Sequence, residues 1–116
     1  MAKEKKIMDE NAKLDLDKEM ADENVEIIKL SKKMKANGIE TDEIKMDFGK
    51  ITGNMMVNAE KMARTLGEQS PAVMFSQTYQ ACIAAKVLNT AYSDITCMPG
   101  KDFQNIIMSV NRFLFQ

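Results

Sequence analysis

The sequence predicts an all-α protein, a small bundle of four helices whose neighbours along the chain are antiparallel. Apolar residues recur at spacings of three and four in four segments, which is the period of an amphipathic helix. Alternating β-branched runs typical of strands do not stand out. The connections between the segments are short, which favours antiparallel packing of consecutive helices. A length of 116 residues suits a single domain that spans 1–116.

The first predicted helix covers residues 10–36. Its apolar positions follow an alternating four- and three-residue spacing, except that Glu23 occupies one position where an apolar residue is expected: Leu16, Met20, Ile27, Leu30 and Met34. Acidic residues crowd its early part and lysines its end, an order that complements the helix dipole. The "NG" pair at residues 37 and 38 is a typical helix stop. Residues 1–9 either continue this helix or fray from it.

The second predicted helix covers residues 42–66, with Thr41 as its N-cap and Gly67 just past its end. Its apolar stripe falls on one side of a helical wheel: Ile44, Phe48, Ile51, Met55, Ala59, Met62 and Leu66.

The third predicted helix covers residues 71–95 and opens with Ser70 as N-cap and Pro71 at the first helical position. It has two apolar faces, one made by Ala81, Ala85, Leu88 and Tyr92 and the other by Ile83 and Val87. We therefore expect it to be packed on both sides, at the centre of the bundle or of an interface between chains.

The fourth predicted helix covers residues 102–115, after the turn-forming "CMPG" at 97–100, with Asp102 near its start. Its main face is strongly apolar: Phe103, Ile106, Ile107, Val110, Phe113 and Leu114.

Apolar or small residues also lie on the sides of these helices that face away from the main stripes. Recurrent second faces of this kind favour contact with another chain. The interface candidates are Met46, Gly49, Gly53, Val57, Ile83, Val87, Met108 and Phe115. Two glycines four residues apart in one helix indicate either a notch where another backbone approaches closely or a kink that splits the helix.

The composition restricts the classes of function. The net charge is −1, so no overall field attracts nucleic acid or anionic lipid. Eleven methionines indicate adaptable apolar packing. Residues 1–50 carry 11 of the 16 basic and 13 of the 17 acidic residues, so the second half is the half expected to be buried.

The sequence lacks the residue types and motifs that most catalytic mechanisms require. The chain has no histidine, which removes the commonest general base and metal ligand. Two cysteines, Cys82 and Cys97, would lie about 20 Å apart along a continuous helix, too far for a disulfide. No glycine-rich phosphate-binding motif occurs. The sequence therefore predicts no enzyme activity, no catalytic residues, no metal site and no cofactor.

We therefore expect a cytoplasmic, non-enzymatic interaction protein that binds itself or another protein through apolar helix faces. An assembly subunit, an adaptor or an inhibitor would fit, and so would an accessory protein of a phage or mobile element. No segment resembles a signal peptide or a transmembrane helix.

Two alternatives remain open. One is a nucleic-acid-associated subunit that uses the lysine-rich patch Lys29, Lys32, Lys33 and Lys35. The other is a protein that binds a small anion between protomers with Tyr79, Lys86 and Arg112.

Overall fold

A computed structural model describes residues 24–36 and 38–116, and within them the fold is mixed α/β rather than all-α. A β-hairpin of strands β1 and β2 precedes four helices, α1 to α4, and two short 3-10 turns. The strands are Val25–Ala36 and Ile39–Asp47. The helices are Gly53–Thr65, Gln77–Leu88, Tyr92–Thr96 and Gly100–Leu114. The 3-10 turns are Phe48–Lys50 and Val73–Phe75. The predicted four-helix bundle is therefore wrong.

The hairpin replaces the end of the predicted helix 10–36 and the start of the predicted helix 42–66. Ile44 and Met46 alternate along β2 with exposed residues and are buried, and Phe48 continues their spacing of two. On a helical wheel Met46 falls on the back face, which hid this pattern. Gly38 has a positive φ of 82° between the strands, so the "NG" pair marks a hairpin rather than a helix end. The part of the first predicted helix before residue 24, and the extension at 1–9, lie outside the described residues.

A large β-bulge interrupts β1. The antiparallel register pairs Lys29 with Glu43 and resumes with Met34 opposite Thr41, which leaves residues 30–33 facing Asp42 alone. Bulges bend a strand and redirect its side chains. The bulge also breaks the two-residue alternation in the sequence, because Lys32, midway between the buried Leu30 and Met34, is exposed.

The predicted helix 42–66 survives only in its second half, as α1. Thr52 is its N-cap, and the Thr52 hydroxyl accepts a hydrogen bond from the Met55 backbone N–H at 3.2 Å. Gly53 is the first residue of this helix, whereas Gly49 lies in the preceding 3-10 turn. The two glycines therefore do not share a helix. A Cβ on Gly53 would meet nothing within 4 Å, so no close packing within the described fold requires a glycine there.

The predicted helix 71–95 is two helices, α2 and α3. Ser76, rather than Ser70, caps α2, since its hydroxyl accepts from the Tyr79 backbone N–H at 3.2 Å. The helix ends at Asn89, which adopts the left-handed conformation with φ 54°, and the Thr90 N–H closes the end on the Ala85 carbonyl at 2.9 Å. The last helix, α4, agrees closely with the predicted 102–115.

Helix α2 lies at the centre of the core. All residues from Tyr79 to Ala85 are buried, and α2 contacts α1, α3, α4 and β2. The expected packing on both sides is therefore confirmed for residues 79–85, although the continuous helix and the bundle in which we placed them are wrong. In the described part of the chain, no helix is both long enough and apolar enough to cross a membrane.

Candidate functional surfaces

Two phenylalanines stack on each other at the surface, where the second 3-10 turn meets the end of α4. The ring centroids of Phe75 and Phe115 are 5.0 Å apart, with the planes 10° from parallel. Phe75 is 71% exposed and Phe115 44%. Met74 beside Phe75 is also exposed, and Met108 lies two helical turns before Phe115 and is exposed too. We call Met74, Phe75, Met108 and Phe115 the aromatic patch.

Two hydrogen-bonded amides, the buried Gln80 and the half-buried Asn111, support the turn that carries the aromatic patch. Gln80 of α2 donates from Nε2 to Asn111 Oδ1 of α4 at 3.1 Å, and Asn111 Nδ2 donates back to Gln80 Oε1 at 3.2 Å. Gln80 Nε2 also donates to the Met74 carbonyl oxygen at 2.8 Å. Because Gln80 is only 2% exposed, these bonds hold the turn that carries Phe75 rigidly against α4.

The predicted interface residues are not on one surface. Met46 and Ile83 are fully buried in the core, and Val87 is half-buried against it. Val57 is exposed on α1, while Gly49 and Gly53 lie in and just after the first 3-10 turn. Only Met108 and Phe115 fall in the aromatic patch. Phe75, its most exposed member, was missed because a continuous helix at 71–95 gave it no special position.

The lysines of the predicted nucleic-acid patch all lie on β1 rather than on a helix. Lys29, Lys32, Lys33 and Lys35 are exposed, and Lys32 and Lys33 are consecutive within the bulge. We call Lys32, Lys33 and Lys35 the lysine triplet. None of the three ion pairs within the described residues involves these side chains.

A buried carboxylate holds the bulge in place. Asp102, in the first turn of α4, is 1% exposed. Its two oxygens accept the Ser31 backbone N–H at 2.9 and 3.1 Å, and one of them also accepts the Ser31 hydroxyl at 3.0 Å. Hydrogen bonds to an ionised acceptor are roughly twice as strong as neutral ones, so this contact joins β1 firmly to α4.

A second contact joins β1 to the other end of α4. Arg112 donates from Nε and Nη2 to the two carboxylate oxygens of Glu26 at 2.7 and 2.8 Å. These bonds lower the pKa of Glu26 below its ordinary value and raise that of Arg112. Ten helical residues span about 15 Å and five strand residues about 16 Å. The spacing of Asp102 and Arg112 on α4 therefore matches that of Ser31 and Glu26 on β1, and both contacts can form when the two elements run antiparallel.

The three predicted anion ligands are not brought together. Arg112 is engaged by Glu26, and Tyr79 is 4% exposed, with burial raising the pKa of its hydroxyl. Lys86 lies two turns after Tyr79 on α2 and is half-buried.

The two cysteines differ in accessibility. Cys82 is buried, and burial raises the pKa of its thiol, an effect that the charge of Lys86 opposes only in part. Cys97 is exposed, in the connection from α3 to α4.

The geometry thus offers two distinct surfaces, the aromatic patch at the end of α4 and the lysine triplet near its start. Comparisons of the chain with protein-family models, with curated protein sequences and with solved structures found no match.

Proposed function

We propose that this protein works by binding rather than by catalysis, and that it binds a protein chain through the aromatic patch. The observation that carries the proposal is the exposed stack of Phe75 on Phe115. Large aromatic side chains dominate the energetics of protein interfaces, and methionine is enriched there. A role as an assembly subunit, an adaptor or an inhibitor, in the cytoplasm, fits this mode of action.

We propose a second copy of the chain as the occupant of the patch. In a twofold dimer the same surface meets itself, so any charge of one sign at its centre would be repelled by its own copy. Met74, Phe75, Met108 and Phe115 carry no charge, and the patch is therefore compatible with its own image. The amide pair beneath it holds Phe75 in position before binding, which lowers the entropic cost of association.

The size of the expected effect follows from the exposed area. A phenylalanine buries about 200 Å² when fully covered. Covering the 71% of Phe75 that is exposed would remove about 140 Å² from water, worth about 3.5 kcal/mol at 25 cal/mol per Å². This area figure is an upper bound, because association has entropic and desolvation costs, and truncation of an interface aromatic commonly costs about 2 kcal/mol or more. Two copies of Phe75→Ser should therefore weaken a dimer by about 4 kcal/mol, roughly a thousandfold.

Size-exclusion chromatography with light scattering over a range of micromolar concentrations tests this proposal. We expect the unchanged chain to be oligomeric and Phe75→Ser to be monomeric. Ile27→Ser is the matched control, because Ile27 is another exposed apolar residue, 55% exposed, on the hairpin. It should leave the oligomer unchanged. A chain that is monomeric at every concentration, or a dimer that Phe75→Ser leaves intact, would refute self-association through this patch.

A further inference from the structure

The bulge in β1 changes what the strand presents to solvent. In a regular strand, consecutive side chains point to opposite faces. Within the bulge Lys32 and Lys33 are both exposed, although they are adjacent in sequence. The buried carboxylate of Asp102 maintains this irregular geometry through both donors of Ser31. Bulges are frequent next to functional sites because they re-aim side chains in this way.

The lysine triplet lines a cleft. The cleft lies between the bulge of β1 and the connection from α3 to α4, and its volume is about 220 Å³. Its wall is completed by Met34, Asp94, Cys97, Met98 and Pro99. Asp94 is the one acidic residue of this lining, and its carboxylate already accepts hydrogen bonds from the Thr90 hydroxyl and the Ala91 N–H.

We propose that this cleft binds phosphate groups. Each lysine ammonium supplies three donors and no acceptor, and lysine binds phosphate as a concentrated point charge. The cleft is smaller than the 300–1,000 Å³ of sites that enclose drug-sized ligands. It therefore has room for one or two phosphate groups but not for a whole nucleotide, and it recognises the phosphate rather than the group attached to it.

This surface is separate from the aromatic patch. Pro99 lines the cleft just before α4, whereas Phe115 follows the end of that 15-residue helix. The two ends of such a helix are about 22 Å apart. The net charge of the whole chain is −1, so attraction depends on the local cluster and should fall steeply with added salt.

Phosphate groups reach such a cleft either in a free small anion or in a nucleic-acid backbone, and two probes distinguish these sources. Inorganic pyrophosphate and a fluorescein-labelled single-stranded oligonucleotide are each titrated into the full chain at about 10 mM salt, where exposed charges act over about 30 Å. Calorimetry follows the first probe and fluorescence anisotropy the second. Binding of pyrophosphate alone assigns a free anion, and binding of the oligonucleotide alone assigns a polymer backbone. Binding of both shows that the phosphate group itself is recognised.

The double variant Lys32→Gln/Lys33→Gln tests whether the cleft is responsible. Removing two charges at about 4 Å from a phosphate should weaken binding about tenfold or more. Lys45→Gln, at an exposed lysine on β2 outside the cleft lining, is the control and should leave binding unchanged within about twofold. Thermal unfolding of each variant verifies the fold. If neither probe binds, or if the double variant binds with the same affinity as Lys45→Gln, the proposal is overturned.

Discussion

Replacement of Asp102 by alanine should loosen the β-hairpin from the helices. Among the described residues, Asp102 alone accepts hydrogen bonds from both the N–H and the hydroxyl of Ser31. The substitution removes the acceptor and leaves the bulge without its attachment to α4. The N–H bond is shared between two oxygens, so it is counted once.

The expected loss of unfolding free energy follows from the two Ser31 donors that bond to the Asp102 carboxylate. Hydrogen bonds to charged groups contribute about 1.5–3 kcal/mol each, or about 3–6 kcal/mol together. Two effects offset this loss. The buried carboxylate no longer costs desolvation energy, and Ser31, which is exposed, regains water as a partner. We expect a net loss of about 3 kcal/mol for Asp102→Ala. Asp102→Asn retains one acceptor oxygen and should lose about 1–2 kcal/mol.

Urea denaturation followed by circular dichroism measures the free energy of unfolding, and amide hydrogen exchange measures the attachment itself. The Ser31 amide should be protected in the unchanged chain and exchange rapidly in Asp102→Ala. Asp42→Ala is the control, because Asp42 is an exposed acid that faces the same bulge from β2. An Asp102→Ala chain within about 0.5 kcal/mol of the original, or one more stable than it, would show that the carboxylate does not hold the hairpin.

Three further outcomes are expected. Asn111→Ala should destabilise the chain by about 2 kcal/mol because it leaves the buried Gln80 Oε1 without a donor, while Gln80 Nε2 keeps the Met74 carbonyl; the Gln80→Ala/Asn111→Ala double variant should lose less than the sum of the singles in urea denaturation. Because the pKa of Glu26 is lowered in the folded chain, its ion pair stabilises the fold above the ordinary glutamate pKa, and this stabilisation is lost as the pH falls through the lower folded value. Glu26→Gln should therefore flatten the dependence of unfolding free energy on pH below about pH 4.5. The change should be less than about 1 kcal/mol, because the pair is exposed. Iodoacetamide should label Cys97 in the native chain and Cys82 only after unfolding, as peptide mass spectrometry would reveal; equal labelling of both would contradict the buried position of Cys82.

The last helix was predictable and the hairpin was not, and the reason lies in the spacing of apolar residues. In α4 the apolar positions keep one period over the whole element, with Pro99 before it and Gly100 as its first residue. Ile44 in β2 and Phe48 just past its end fit a helical spacing of four as well as a strand spacing of two. The burial of Met46 between them decides for the strand, and it depends on tertiary packing against the helices.

The ends of helices were harder to predict than their apolar faces. "SP" at residues 70 and 71 fits the general preference for a helix start, yet the hydroxyl that caps α2 belongs to Ser76. Asn89 ends α2 in the left-handed conformation. Asparagine tolerates this conformation, but an asparagine in the sequence does not by itself predict a helix end.

The candidate surfaces depended on the same local details. The apolar character of Phe115 and Met108 was evident from the sequence, whereas the partner of Phe115 in the aromatic patch was not. The contact of Phe75 with Phe115 requires the turn that Gln80 holds. The basic character of the lysine triplet was evident too, but the bulge that gathers it is bound by a carboxylate 71 residues away from Ser31.

The attachment of β1 to α4 has a consequence for the order of folding. Its two contacts join residues 71 and 86 positions apart, so neither can form until α4 has been synthesised. At a translation rate of about 5–20 residues per second, the hairpin waits several seconds without the helix to which β1 is attached. During that interval the buried side chains of β1, such as Ile28, lack the contacts that β1 makes with α4. Closing such long loops slows folding, so completion of α4 should be the step that commits the nascent chain to its native fold.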